Sequence, residues 1–311
     1  MKKFKIMAFI LVLLFAVFAI FFFEKKGEVV KHKPMIAVST FALYDIVKHI
    51  AGDSVEIVNM IPFGTDPHSF EPTPKLMADI EKSALVIYSG AGLEPWIKKV
   101  QFKTEAIDMS QHVSLRELGA NEFEFHQHHD HQCAHSKLDP HYWLDFSNMH
   151  KATVIITDAL IKLFPKNREL YLTHQNSYLH MLNKLDVSYK KYLSNCRIDT
   201  VILNHNSIGY LAKRYHFHAE SLSGLSPESE PTPNDIQRIL KDIKSDAVNT
   251  IFFENFVSDR VIKSIASDAH VKVDVFQPLG NITADEAKAG ITYENAMYLN
   301  LKKLSKALMC N

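Results

Sequence analysis

The sequence has no surplus of either charge: among its 311 residues, Lys plus Arg and Asp plus Glu each number 35, for a formal net charge of zero. A strongly basic face for nucleic acid is thereby excluded, and charge points to no other partner. Cysteine is scarce, with Cys133, Cys196 and Cys310 forming an odd set that contains no C-x-x-C pair. No disulfide framework is specified. Cys196 and Cys310 could pair in an oxidising space, and Cys133, inside a histidine tract, could bind metal as thiolate. An H-E-x-x-H helix is missing too, and no second carboxylate stands in a recognisable catalytic setting. These gaps argue against a zinc hydrolase or lyase, for which Glu71 would be the acid to offer as general base.

What the sequence does hold is apolar residues, at 47%, and histidine, at 17 copies. The first is enough for a sizeable core and, with this length, predicts two domains. The second asks for a metal reading, because His126, His128, His129, His131 and His135 crowd into residues 122–137. That stretch has neither helical nor strand period and is read as a surface loop whose imidazoles collect metal.

Lys2, Lys3 and Lys5 precede an apolar run at 7–23. Residues 1–33 are therefore read as an export signal or an uncleaved membrane anchor, since the run is long for a signal core and no A-x-A site or lipid-bearing cysteine follows it. Either reading puts the remainder of the chain in a periplasmic or other extracytoplasmic space.

From there the pattern alternates between short β-rich runs and amphipathic stretches, which predicts an α/β fold with mostly parallel strands. Strands are expected at 35–40, 56–62, 84–90 and 105–110, with helices at 41–51, 74–82 and 93–100. The scheme repeats with strands near 200–204, 219–222, 250–254 and 271–276, and helices near 208–215, 234–245, 259–268 and 293–308. Two similar lobes follow, 34–166 and 195–311, each a parallel sheet flanked by helices. Residues 167–194 join them as one long helix without Gly or Pro, a stiff strut that limits lobe movement.

Three histidines outside the loop stand in distinctive settings: His68 in TDPHSFEPTP, His141 in LDPHYWLD and His205 in ILNHNSIGYLAKRYHF. His68 and His205 follow strands, at the carboxyl edges where open α/β sheets bind ligands, so the three could meet in an interlobe cleft. Asp66, Asp139, Asp145 and Asn204 lie near enough in sequence to orient the rings or, equally, to serve as turn and cap residues.

With SPESEPTP at 226–233 and TIFFEN at 250–255, these segments resemble the metal-binding receptors of bacterial ABC importers, cluster A-I, in its zinc-specific, ZnuA-like form. The resemblance runs over 35–308 and extends to the histidine-rich loop before DPHYW. It implies a receptor rather than an enzyme, monomeric, delivering Zn²⁺ to a membrane permease, with His68, His141 and His205 as metal ligands. A histidine at the third position suits Zn²⁺, whereas relatives tuned to manganese often carry a carboxylate there. A manganese or iron receptor is the alternative within the family. One departure is Gln277, where similar proteins commonly have an aspartate before PLG. The fourth ligand position would then fall to water, to the Gln277 amide oxygen, to Glu71 or to a loop histidine, and water is favoured because a receptor must release its ion.

Overall fold

The computed structural model describes residues 33–118, 138–224, 231–256 and 259–311. The apolar run at 7–23 and the histidine-rich stretch at 122–137, with Cys133, lie outside them. Among the described residues no helix is long and apolar enough to cross a membrane.

Strands β1 (Met35–Val38), β2 (Glu56–Asn59), β3 (Leu85–Tyr88) and β4 (Ala106–Asp108) form a wholly parallel sheet in the order β2-β1-β3-β4. Helices α1 (Phe41–Ala51) and α2 (Pro74–Glu81) connect them. Two short strands, β5 (Arg116–Glu117) and β6 (Leu138–Asp139), pair antiparallel ahead of α3 (Phe146–Leu163) and α4 (Arg168–Tyr192). The second lobe holds β7 (Thr200–Leu203), α5 (Gly209–Tyr215), β8 (His218–Ser221), α6 (Pro233–Ser245), β9 (Thr250–Phe253), α7 (Arg260–Ala269) and β10 (Lys272–Val275). Helices α8 (Ala284–Lys288) and α9 (Tyr293–Ala307) complete it. Its sheet is again parallel, ordered β10-β9-β7-β8. In both lobes the first strand lies between the second and the third, so the two are topological repeats with a crevice where the order reverses.

Local chemistry repeats as well. Thr73 caps α2 by accepting from Leu76 N with Pro74 at the first helical position, and Thr232 with Pro233 does the same for α6 in a capping box with Asp235. The Thr-Pro pairs within the two EPTP motifs are thus helix starts. One expectation is corrected. Residues 93–100 form only a short 3₁₀ turn, Pro95–Lys99, because the preceding loop passes through positive φ at Gly90, Ala91 and Gly92 and leaves no room for a full helix. The β5–β6 ribbon and α8 carry too few residues to show a period.

Helix α4 reaches about 37 Å at 1.5 Å per residue. Its buried stripe, Tyr171, Tyr178, Leu182, Leu185 and Tyr189, belongs to one core that also contains Ile36 and Phe41 of the first lobe and Leu203, Phe252 and Leu304 of the second. Leu170, on the same helix, is exposed. Tyr178 donates to Asp45 on α1 at 2.8 Å and Tyr189 donates to the Met297 carbonyl on α9 at 2.8 Å. Helix α4 thus packs laterally on both lobes. Cys196 and Cys310 form a disulfide across 114 residues, tying the start of the second lobe to its last turn.

Candidate metal centre

His68 lies in the turn beyond β2, where Asp66 Oδ1 accepts its backbone N–H at 3.1 Å. This turn is fastened to the second lobe. The Asn281 amide donates to the Pro62 and Thr65 carbonyls at 2.7 and 2.8 Å, and Gly64 N donates to the Ile282 carbonyl at 2.8 Å. His141 follows β6 by two residues, and Asp139 Oδ1 takes both its backbone N–H and its ring Nδ1, each at 2.9 Å. Since an ionised carboxylate only accepts, Nδ1 carries the proton and Nε2 presents a lone pair. Trp143 packs its ring against His141, donates to the Pro278 carbonyl at 2.7 Å, and so ties this segment too to the second lobe.

His205 stands just past the carboxyl end of β7 and is buried. Glu254, just past the end of the neighbouring strand β9, brings Oε2 to 2.7 Å from His205 Nδ1. Glu254 is itself held in place: Ser207 Oγ donates to its Oε1 at 2.5 Å, and its backbone N–H donates to Asn204 Oδ1 at 3.0 Å. Two of the three rings therefore have Nδ1 against a carboxylate and Nε2 facing the cleft.

The three rings converge, with centroids 5.4 Å apart for His68 and His141, 5.9 Å for His68 and His205, and 5.3 Å for His141 and His205. One nitrogen from each falls within 4.8 Å of the others, the sole such group of metal-binding side chains among the described residues. The His141 and His205 Nε2 atoms are 3.5 Å apart. Tetrahedral zinc with N–Zn bonds of about 2.0–2.1 Å requires roughly 3.3 Å between ligand nitrogens, a small contraction for the His141–His205 pair. The cavity between them, walled by Leu93, Trp143, Phe256 and Pro278, measures about 20 Å³. That is room for about one water molecule.

Electrostatics separate the rings. Burial pushes the His68 pKa well below its ordinary value, helped by His141 and His205. For His205 burial acts the same way but is outweighed by Glu254, so its pKa is raised. For Asp139 burial opposes the charge, yet the His141 hydrogen bond and Arg116 prevail and hold the carboxyl below its usual range.

Glu71 and Gln277 are not brought to the rings. Glu71 is an exposed carboxylate 3.8 Å from Lys99, and the Gln277 amide donates to Glu286 at 2.8 Å, outside the residues that wall the cavity. Of the four neighbours weighed as orienting the imidazoles, Asp139 bonds the His141 ring. Asp145 caps α3 through Ser147 N and Asn148 N, Asp66 bonds backbone at His68, and Asn204 supports Glu254. Glu254 itself was not anticipated. The signal was an acid ending the apolar run TIFF, but its meeting with His205 depends on β7 lying beside β9, a pairing that strand period does not reveal.

The sequence profile of the family described as zinc-uptake complex component A, periplasmic, matches residues 36–307. The high-affinity zinc uptake system protein ZnuA of Bacillus subtilis is 29% identical over 291 residues, covering 92% of this chain and 90% of its own. The zinc-binding lipoprotein AdcA of Streptococcus pneumoniae is 29% identical over 276 residues, and there the match covers 87% of this chain but 55% of AdcA. The chain thus spans about half the length of that relative. Among solved structures, the Zn(II)-bound ZnuA-like domain of Streptococcus pneumoniae AdcA superposes with a TM-score of 0.73 at 27% identity, covering 89% of this chain and 99% of the domain. With a profile match over nearly all of the described fold, this chain belongs to the family of periplasmic zinc-uptake component A.

Proposed function

We propose that the chain is an extracytoplasmic receptor that captures Zn²⁺ with His68, His141 and His205 and delivers it to the membrane permease of an ABC importer. The convergence of three imidazole nitrogens from both lobes on a cavity the size of one water carries this reading. An all-imidazole set suits Zn²⁺ better than Mn²⁺, which favours carboxylate oxygen, and the relatives named above are described by zinc. Water takes the fourth position, in keeping with Glu71 and Gln277 being engaged elsewhere. Neutral three-histidine ligation keeps the site releasable.

Capture requires a nitrogen lone pair from each of the three imidazoles, so protons compete with zinc and acid favours release. The receptor acts as a monomer exported through residues 1–33, and the histidines at 126–135 gather metal without forming the tight site. The lobes divide at 34–166, 167–194 and 195–311, with α4 setting their separation. Competition titration against a zinc chelator tests the assignment. His68→Ala, His141→Ala and His205→Ala should each weaken binding far more than deletion of 122–137, and loss of tight binding on loop deletion alone would sink it.

A further inference from the structure

Arg116 on β5 has no place in the zinc set, yet it is built into the support of one ligand. Its Nη2 and Nε donate to Asp139 Oδ2 at 2.8 and 3.1 Å, while the other carboxylate oxygen, Oδ1, holds His141. Asp139 is fully buried and the Arg116 side chain is nearly so. Both carboxylate oxygens are thus tied, and the plane in which Asp139 meets Nδ1 of His141 is fixed by Arg116.

The seat of that guanidinium belongs to the other lobe. Gly209, four residues beyond His205 at the start of α5, lies so close that a Cβ there would overlap Nη2, Cζ and Nε of Arg116. The absence of a side chain at this position is what admits the guanidinium. The next residue, Tyr210, strengthens the same joint, its hydroxyl accepting from Arg116 N at 2.8 Å and donating to the Asp139 carbonyl at 2.8 Å.

We infer that Arg116, seated on Gly209, is a positioning residue that holds His141 in the Nδ1–H tautomer, so that the second lobe governs the readiness of a first-lobe ligand. Withdrawing the guanidinium frees the Asp139 carboxylate to turn, removes the fixed acceptor at Nδ1 and lets the His141 proton move to Nε2, where it blocks metal. The inference rests on the zinc reading for its consequence but not for its structural content.

The test uses the full chain as wild type, Arg116→Gln, Arg116→Lys and Gly209→Ala. Histidine side-chain ¹H–¹⁵N correlation spectra of the metal-free proteins report the tautomer, chelator competition reports zinc affinity, and thermal unfolding reports the fold. Expected are an Nδ1–H signal for His141 in wild type, a mixture in Arg116→Gln and Gly209→Ala, and a roughly 10–100-fold loss of zinc affinity in both, the range for partners that orient a metal ligand. Arg116→Lys should recover part of each. Gly209→Ala keeps every charge and decides the matter if Arg116→Gln does not fold. An unchanged His141 signal with affinity within about twofold of wild type in Gly209→Ala would overturn the inference. A wild-type chain that binds no zinc would instead overturn the functional reading, while the metal-free spectra would still judge the role of Arg116.

Discussion

The two lobes repeat one strand order and fill their crevices differently. In the second lobe the crevice between β7 and β9 carries His205 and Glu254, a ring and the acid that grips it. In the first, the corresponding crevice between β1 and β3 carries no ligand. Ser39 and Thr40 follow β1, Ser89 and Gly90 follow β3, and the buried Glu94 accepts from Ser89 N and Gly90 N at 2.9 and 3.0 Å. Thr40 and Tyr142 extend the network through Ser89 Oγ. His68 and His141 instead come from the turn beyond the edge strand β2 and from the segment before α3. A shared topology thus supplies two crevices that differ in their side chains: one carries His205 of the proposed zinc set, and the other an internal hydrogen-bond network.

The largest effect should follow from disturbing the crevice that carries His205. His205→Ala should weaken zinc beyond the roughly 100-fold upper range for an orienting partner, by competition titration. Glu254→Gln should cost roughly 10–100-fold while also moving the acid limb of binding. Glu254 raises the His205 pKa, so its removal lowers that pKa, and proton competition then sets in at lower pH than in wild type. A titration series across pH checks the sign, and a shift to higher pH would contradict the role given to Glu254.

In the first-lobe crevice zinc should be untouched and stability should change. Burial pushes Glu94 from 4.5 to about 7, against the pull of its hydrogen bonds from Ser39, Ser89 and Gly90. The folded chain then holds this proton more tightly than the unfolded one. The contribution is intact below pH 4.5 and is lost as pH rises to about 7, up to roughly 3 kcal/mol. Denaturant unfolding at several pH values should show that decline in wild type and not in Glu94→Gln, with little change in zinc affinity. Opening the disulfide by Cys196→Ala and Cys310→Ala should lower stability by up to about 4–5 kcal/mol for so long a loop, and zinc affinity least of all.

Most of the fold was legible because strand and helix periods are local: α1 runs at 41–51 as expected, and each long strand was located to within a few residues. The same locality made Asp139 readable, two residues from the ring it holds. Glu254 and Arg116 were not readable, since Glu254 meets His205 only through the β7–β9 adjacency and Arg116 reaches Asp139 only through the β5–β6 pairing.

The central claim, that one zinc is held between the lobes by imidazoles from both, is tested most directly by metal analysis. The chain would be purified without chelator or affinity tag beside its His68→Ala/His205→Ala double variant. The account predicts zinc near one equivalent in the parent and its loss from the double variant; manganese in the parent, or zinc that persists in the double variant, would contradict it.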